Sequence, residues 1–335
     1  MALPRVAITL GDLRGIGPEV TRKALDILRP PRSAVVVVVP DGQDTFGFPS
    51  HSIPVDASQP GRAAGHAIEA AVGLARLGAV GGIVTGPIHK PSLTAAGFAF
   101  PGHTEMLQAL TGAVDVGMLM CYEDDDFATE PRPRGPLRVL LATTHVALRE
   151  VPHLLTTSTL IRQTRLLGRA LRRDWGIERP RIGLCAFNPH ASDQGLFGDE
   201  EARIYAPAMA ALASDGWMSV AGPIPADTVF HRALTGEFDA VVAPYHDVGM
   251  AAFKTAAFGS GVNVTIGLPF IRTSPDHGTA FGIAGKDIAD PTSMCRALDL
   301  AFHLVENRGI PAAEGPDSPP GSGPPSPSGG AAGGS

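Results

Sequence analysis

Short apolar segments alternate with longer amphipathic segments along most of the chain. AVVVVVP at 34–40 is apolar at almost every position, as expected for a strand covered on both faces of a parallel sheet. GRAAGHAIEAAVGLARLGAV at 61–80 has helical spacing and leads into the short apolar run GGIVTGP at 81–87. This alternation predicts an α/β fold. We expect further strands at 5–10, 117–122, 137–145, 181–190, 239–247 and 262–270, and further helices at 158–176, 199–216 and 289–309.

Two segments interrupt this pattern. EDDDFATEPRPRGP, residues 123–136, is acidic and then rich in proline and arginine, and we interpret it as a long exposed hairpin loop. After Ile310 the chain contains no Leu, Ile, Val or Phe. Such a tail cannot bury enough apolar surface to offset the entropy of ordering it, so residues 313–335 are predicted to be disordered.

Composition narrows the class of protein. The 335 residues are 44% hydrophobic and only 18% charged, which is enough apolar material for one or two real cores. The net charge of −6 indicates neither a nucleic-acid partner nor an anionic membrane partner. Three isolated cysteines favour a reducing compartment, and neither a signal peptide nor a membrane span is recognisable. We therefore expect a cytoplasmic globular protein.

Three of the expected strands end on a histidine. ATTH ends at His145, FNPH at His190 and APYH at His246, which is followed by Asp247. Ligands of open α/β sheets bind at the carboxyl ends of the strands. Three imidazoles at such ends match a catalytic zinc site with one open position, and Asp247 is a candidate acceptor behind a metal-bound ring. The alternative is a metal-free polar pocket in which the histidines act as acids, bases or phosphate donors.

Other segments indicate anion binding. PGHTEM at 101–106 offers His103 and Thr104 behind a glycine, and the stretch 253–280 carries Lys254, Asn263 and Arg272 among glycines. Cations interspersed with glycine in an acidic chain indicate a clamp for phosphate or carboxylate, although each cation alone is more often a surface residue. GDLRGIGPE at 11–19 fits no nucleotide fingerprint, and we interpret it as a tight strand-to-helix turn beside the active site.

Taken together, these motifs resemble the 4-hydroxythreonine-4-phosphate dehydrogenase family of pyridoxal phosphate biosynthesis. The resemblance rests on GDLRGIGPE, VTGPIHK, PGHTE, TTHVALREV, NPHASD, GPIPADT, YHDVG and NVTIGLPFIRTSPDHGTAFGIAG, in this order from about residue 5 to 308. DHGTAFGIAGKDIADPTS at 276–293 is also similar to the cofactor loop of isocitrate and isopropylmalate dehydrogenases. That group binds NAD or NADP without the usual glycine fingerprint.

The resemblance implies roles for individual residues. His145, His190 and His246 would hold one divalent metal (Zn, Mg or Co), with His246 contributed by the partner of a homodimer. His246, Asp247 and Lys254 are expected at the catalytic centre. Substrate contacts are implied for His103, Thr104, Lys254, Asn263 and Arg272, and cofactor contacts for His277, Gly278, Thr279 and Ala280.

The resemblance also implies architecture and chemistry. It predicts a two-domain, three-layer α/β/α fold of the isocitrate/isopropylmalate dehydrogenase type, with the active site in the interdomain cleft at the dimer interface. The first domain would comprise 1–98 and 288–312, and the second, 99–287, would carry the metal and the dimer contacts. The expected reaction is NAD(P)- and metal-dependent oxidation and decarboxylation of 4-phosphooxy-L-threonine to 3-amino-2-oxopropyl phosphate.

Two departures from the family pattern leave the substrate open. The family usually has Pro-Ala where this chain has Leu13-Arg14, and YHDQG is YHDVG here. The loop at 123–134 is also longer than usual. Alternatives are therefore the same chemistry on 4-phosphothreonate or 4-phosphoerythronate, oxidation of an aromatic dihydrodiol, and, more remotely, a metal-dependent phosphohydrolase.

Overall fold

The computed structural model describes residues 5–123 and 135–309. The strands of this part, β1 to β11 in chain order, are Val6–Thr9, Val35–Pro40, Ser50–Ile53, Gly82–Thr85, Gly117–Tyr122, Leu137–Leu141, Arg181–Cys185, Ser219–Ile224, Ala240–Ala243, Val262–Ile266 and Ile271–Pro275. The helices, α1 to α10, are Gly17–Leu28, Pro60–Arg76, Lys90–Ala95, His103–Thr111, Val151–Leu154, Thr157–Trp175, Ala206–Ala213, Ala226–Leu234, His246–Ala257 and Thr292–Asn307.

All eleven strands join in one mixed sheet, in the order β3-β2-β1-β4-β11-β10-β5-β6-β9-β7-β8. The strands on each side of the centre run parallel to their neighbours, β3 to β11 on one side and β6 to β8 on the other. In the centre, β10 is antiparallel to both β11 and β5, and β5 is antiparallel to β6. The two parallel blocks therefore run in opposite directions, and the central strands connect them.

Helices cover both faces of the sheet. Side chains alternate between the two faces along each strand, so a strand of apolar residues needs cover on both sides. In β2, Val35, Val37 and Val39 belong to one apolar cluster, whereas Val36 and Val38 belong to another. On the first face, one cluster extends across both parallel blocks and includes residues of α1, α6 and α10. On the second face, one cluster includes α2 and α4 and a separate one includes α8 and α9.

The predicted α/β class is confirmed, and so is a large sheet flanked by helices. Several expected strands end earlier in the structure. Those expected at 137–145 and 181–190 end at Leu141 and Cys185, so His145 and His190 lie in the segments that follow. The segment expected as one strand at 262–270 ends at Ile266 and turns into β11, and the strand expected at 239–247 ends at Ala243 so that His246 begins α9. Within the described ranges, no helix is long and apolar enough to cross a membrane.

Five expectations receive no test. Most of the loop expected at 123–136 and the whole of the tail expected at 313–335 lie outside the described residues. The division of the chain into 1–98 plus 288–312 and 99–287 stays a prediction. The same is true of the interdomain cleft and the dimer interface.

Candidate active site

One face of the central strands forms the floor of a polar cavity. In the register of the sheet, Asn263 of β10 lies opposite Ser274 of β11 and Met120 of β5. Arg272 lies two residues before Ser274, so its side chain is on the same face. These four residues line a cavity of about 260 Å³, together with Thr85 at the end of β4. The hairpin formed by β10 and β11 therefore carries the polar groups of the site.

Arg272 is a buried cation in this floor. Its residue is 2% exposed. Nη1 donates to Thr265 Oγ1 at 3.0 Å and Nη2 to Thr85 Oγ1 at 2.6 Å, whereas the buried Nε has no hydrogen-bond partner among the described residues. Burial lowers the pKa of Arg272 to about 9. Since two neutral hydroxyls do not balance a buried charge, an anionic ligand would be stabilised here.

His103 lies at the first position of α4 and also lines the cavity. Burial, followed by the positive charges of Arg272 and Lys90, lowers the pKa of His103 well below its usual value of 6.5. The imidazole is therefore neutral at physiological pH. Its Nε2 is buried and has no partner among the described residues, so it remains free to bind a ligand. Thr104 lines the cavity beside it.

Lys254 lies near the end of α9 and, unlike Arg272, is paired with a carboxylate. Its Nζ donates to Asp276 Oδ2 at 2.5 Å, and the Asp276 side chain is 3% exposed. Asp276 lines the cavity, whereas Lys254 is not among the lining residues. Asn263 does line it, and its Oδ1 is buried without a partner among the described residues. Lys254 therefore lies behind Asp276 in this structure.

His145 and His246 lie side by side. The two residues follow β6 and β9, which are adjacent and parallel, so their carboxyl ends meet at one edge of the sheet. The ring centres are 5.5 Å apart. Nδ1 of His246 lies 2.7 Å from Asp247 Oδ1, the contact expected of an acceptor that orients a metal-binding imidazole. Burial, Lys90 and His246 lower the pKa of His145, which favours the neutral ring that binds metals.

His190 follows β7, the strand beside β9, but lies in an unusual loop. The five residues from His190 to Gln194 all have positive φ, between 44° and 65°. This conformation costs energy for residues other than glycine and is common at ligand sites. The buried carboxylate of Glu201 anchors the loop, because its Oε1 accepts from the backbone N–H groups of Phe187 and Asn188 at 2.9 and 2.8 Å.

The histidines have a donor set that suits a divalent metal, but the described residues do not bring three such donors together. Among the described residues, no three His, Cys, Asp or Glu side chains are grouped closely enough to hold a metal ion. His145 and His246 form a pair, with the Nδ1 of His246 oriented by Asp247 so that its Nε2 remains for coordination. His190 is not part of this pair. His145 itself has a positive φ of 48°, a second strained position at the same edge.

The segment expected to bind the cofactor packs against the turn after β1. Ile16 N–H donates to Thr279 O at 2.9 Å, and a Cβ on Gly15 would lie 2.7 Å from the same oxygen, so Gly15 permits the close approach. Ala280 has a positive φ of 44°. His277 and Gly278 line the cavity, and a Cβ on Gly278 would meet open space. This segment therefore connects the turn with the proposed substrate cavity.

Sequence reasoning missed some residues of the cavity. Lys90, Glu105 and Thr85 line it, although none was singled out. The positive charge of Lys90 acts on both His103 and His145. VTGPIHK had been recognised as a motif, but its individual side chains could not be assigned without the strand order. Alternation of polar residues in NVTI and IRTSP was the usable signal for one polar face.

Comparisons with known proteins show which family the chain resembles over most of its length. A 4-hydroxythreonine-4-phosphate dehydrogenase of Paracoccus denitrificans is 42% identical over 325 residues, covering 90% of this chain and 98% of that protein. The crystal structure of a 4-hydroxythreonine-4-phosphate dehydrogenase from Klebsiella pneumoniae matches with a TM-score of 0.78 and 37% identity, covering 90% and 98% of the two chains.

A terephthalate 1,2-cis-dihydrodiol dehydrogenase from Burkholderia xenovorans LB400 matches less closely, with a TM-score of 0.61 and 27% identity over 90% of this chain and 98% of that one. The family described as pyridoxal phosphate biosynthetic protein PdxA matches residues 35–301, which include every site residue expected from the sequence. The chain belongs to the PdxA family of pyridoxal phosphate biosynthetic proteins.

Proposed function

We propose that the protein is a metal- and NAD(P)-dependent dehydrogenase that oxidises and decarboxylates 4-phosphooxy-L-threonine to 3-amino-2-oxopropyl phosphate. The observation that carries the proposal is the polar cavity, in which the buried Arg272 lacks a carboxylate partner among the described residues. A neutral His103 lies on the same cavity and the His145–His246 pair borders it. The relatives of this family carry the corresponding name.

The cavity residues favour an anionic substrate. Arg272 offers charge-assisted hydrogen bonds from a site that solvent does not reach, and Lys90 adds a second cation at the rim. A guanidinium and an ammonium at one cavity suit a phosphate or a carboxylate better than an uncharged diol. Neutral His103 donates or accepts a hydrogen bond without adding a third charge. Asn263, whose buried Oδ1 has no partner among the described residues, would accept a hydrogen bond from a hydroxyl or an amino group of the substrate.

When bound, a divalent metal would polarise the substrate oxygens as a Lewis acid, and the nicotinamide ring would accept the hydride. The chain itself supplies alignment and proton handling. His145 and His246 would hold the metal, and Asp247 fixes the orientation of the His246 ring. Asp276 lines the cavity and forms an ion pair with Lys254 behind it, and this pair would handle the proton during loss of CO₂. His277 to Ala280 would contact the cofactor.

The third metal ligand would come from a second copy of the chain. His145 and His246 are neighbours within one chain, so we propose that His190 of the other copy completes the site. This differs from the sequence expectation that His246 is the shared ligand. The two arrangements differ in which pairs of inactive variants regain activity when they are mixed.

Mixed variants distinguish the two arrangements. If His190 is the shared ligand, a mixture of His145→Ala and His190→Ala chains regains activity, because one site per dimer combines an intact His145–His246 pair with an intact His190. If His246 is the shared ligand, that mixture stays inactive, and His145→Ala mixed with His246→Ala recovers instead. His66→Ala, which removes an exposed histidine paired with Glu69, is the matched control and should keep full activity.

Formation of NADH by the metal-loaded protein tests the function itself. 4-Phosphooxy-L-threonine should give turnover that a chelator abolishes and added metal restores. 4-Phosphothreonate, 4-phosphoerythronate and an aromatic cis-dihydrodiol should be poorer substrates. No turnover with any of these compounds would exclude the proposal, and release of inorganic phosphate without NAD would indicate the phosphohydrolase instead. The choice between NAD and NADP, the identity of the metal and the cytoplasmic location stay predictions.

A further inference from the structure

Arg14 occupies the turn between β1 and α1 and is held by its neighbours. Its Nε and Nη2 donate to the two carboxylate oxygens of Asp12 at 3.0 and 2.8 Å, and Asp12 is only 1% exposed. Nη2 also donates to Ser92 Oγ of α3 at 2.6 Å. This pairing is bidentate, the geometry that fixes a guanidinium most firmly. The turn therefore presents an immobilised cation where the family pattern has alanine.

An aromatic ring holds the guanidinium from another side. Cζ of Arg14 lies 5.4 Å from the ring centre of Phe281, within the range of a cation–π contact. Phe281 meets the ring of His89 edge-on at 5.1 Å, and His89 Nδ1 lies 2.7 Å from Ser92 Oγ. Three segments of the chain thus converge on one side chain. Phe281 directly follows the segment 277–280, to which the cofactor has been assigned.

Part of this guanidinium remains available. Nη1 makes no hydrogen bond with any described residue, and the Arg14 side chain is 54% exposed. Arg14 lines a cavity of about 540 Å³ together with Pro18, Arg22 and Gly285. Two carboxylates, Glu19 and Asp287, also line this cavity. Their repulsion of a bound anion is reduced, because Glu19 pairs with Lys23 and Asp287 pairs with Arg22.

We propose that Arg14 is a cofactor-binding residue, whose Nη1 donates to a phosphate oxygen of the nicotinamide dinucleotide. This assignment rests on the proposed function, since it takes the dinucleotide as the ligand of the 540 Å³ cavity. A cation already fixed by Asp12, Ser92 and Phe281 loses little side-chain entropy when it binds a phosphate, so its contact contributes more to affinity than that of a free arginine.

Calorimetric titration with ADP-ribose, which carries the two phosphates without the nicotinamide, measures this contact directly. Arg14→Ala should weaken ADP-ribose binding about tenfold, the usual effect of losing one charge-assisted hydrogen bond. The affinity of Arg14→Lys for ADP-ribose should lie between those of the wild type and Arg14→Ala, because lysine keeps the charge but loses the bidentate pairing. Arg232→Ala is the matched control. Arg232 also pairs with a carboxylate, Glu237, and stacks on an aromatic ring, Phe238, at 5.2 Å, but it does not line this cavity.

Kinetics separate a binding role from a structural one. The KM for the dinucleotide should rise about tenfold in Arg14→Ala, while kcat and the KM for the phosphorylated substrate change by no more than about twofold. Wild-type affinity for ADP-ribose in Arg14→Ala would overturn the assignment and leave the proposed function intact. Equal weakening of substrate and dinucleotide would also overturn it, as a general distortion of the turn. A wild-type protein that binds neither ADP-ribose, NAD nor NADP would refute the proposed function, and the assignment with it.

Discussion

Replacing Arg272 by methionine should separate stability from substrate binding. Burial lowers the pKa of Arg272 to about 9. At about 1.4 kcal/mol for each tenfold change in acidity constant, this lowering means that the charged guanidinium costs at most about 5 kcal/mol in the folded protein. Because the folded-state pKa is the lower one, this cost is fully present below pH 9 and diminishes as the pH rises further.

The substitution also removes two favourable contacts. The hydrogen bonds from Arg272 to Thr85 and Thr265 contribute about 3 to 6 kcal/mol together, at about 1.5 to 3 kcal/mol for each bond with a charged donor. The gain and the loss nearly cancel. We therefore expect the free energy of unfolding of Arg272→Met to lie within about 2 kcal/mol of the wild-type value. Losing the cation should weaken substrate binding by about 2 to 4 kcal/mol, which is roughly 30- to 1000-fold.

A second buried arginine provides the control. Arg308 pairs through Nε and Nη2 with the two oxygens of Asp174, a carboxylate whose side chain is 3% exposed. Arg308→Met should therefore destabilise the fold by about 3 kcal/mol or somewhat less, since Arg173 still contacts Asp174, and should leave the substrate KM unchanged. Urea unfolding and steady-state kinetics on both variants measure the contrast. The reasoning fails if Arg272→Met loses as much stability as Arg308→Met and keeps the wild-type KM.

Three other predictions follow from the structure. Gly15→Ala should raise the dinucleotide KM at least about tenfold, because its Cβ would lie 2.7 Å from Thr279 O; an unchanged KM would show that the segment moves freely. Glu201→Ala should weaken metal binding in a cobalt titration by about tenfold, by releasing the loop that carries His190, and unaltered affinity would contradict this. His103 protonates less readily when folded, so stability should fall as the pH drops below 6.5, and His103→Gln should reduce that slope in acid unfolding.

The α/β class was predictable because each buried strand and each amphipathic helix has its own period in the sequence. AVVVVVP became β2, buried throughout, and the predicted last helix became α10. The polar strands were harder to predict from the sequence. SHSI forms β3 with three exposed residues, and IRTSP forms β11 although it contains arginine and proline. β3 is held at the sheet edge by β2, and β11 by β10 and the distant β4, and local composition does not report this pairing.

The candidate site was predictable at the level of residue types. Strand-end histidines and glycine-flanked cations identified His145, His246, His103 and Arg272, and the structure places all four at or beside one cavity. The sequence could not show that Lys254 is paired with Asp276, because the two residues are 22 positions apart. Nor could it show that β6 and β9 are neighbours, since the paired residues 139 and 241 lie far apart in the chain. Such pairings follow from topology rather than from local pattern.

Turnover of 4-phosphooxy-L-threonine by the metal-loaded protein is the most direct test of the proposed function. We expect NADH to form together with an equal amount of CO₂, and both to stop in the presence of a chelator, in Arg272→Met at low substrate concentration, and in His246→Ala at any concentration. Full turnover in His246→Ala, or none in the metal-loaded wild-type protein, would contradict the account.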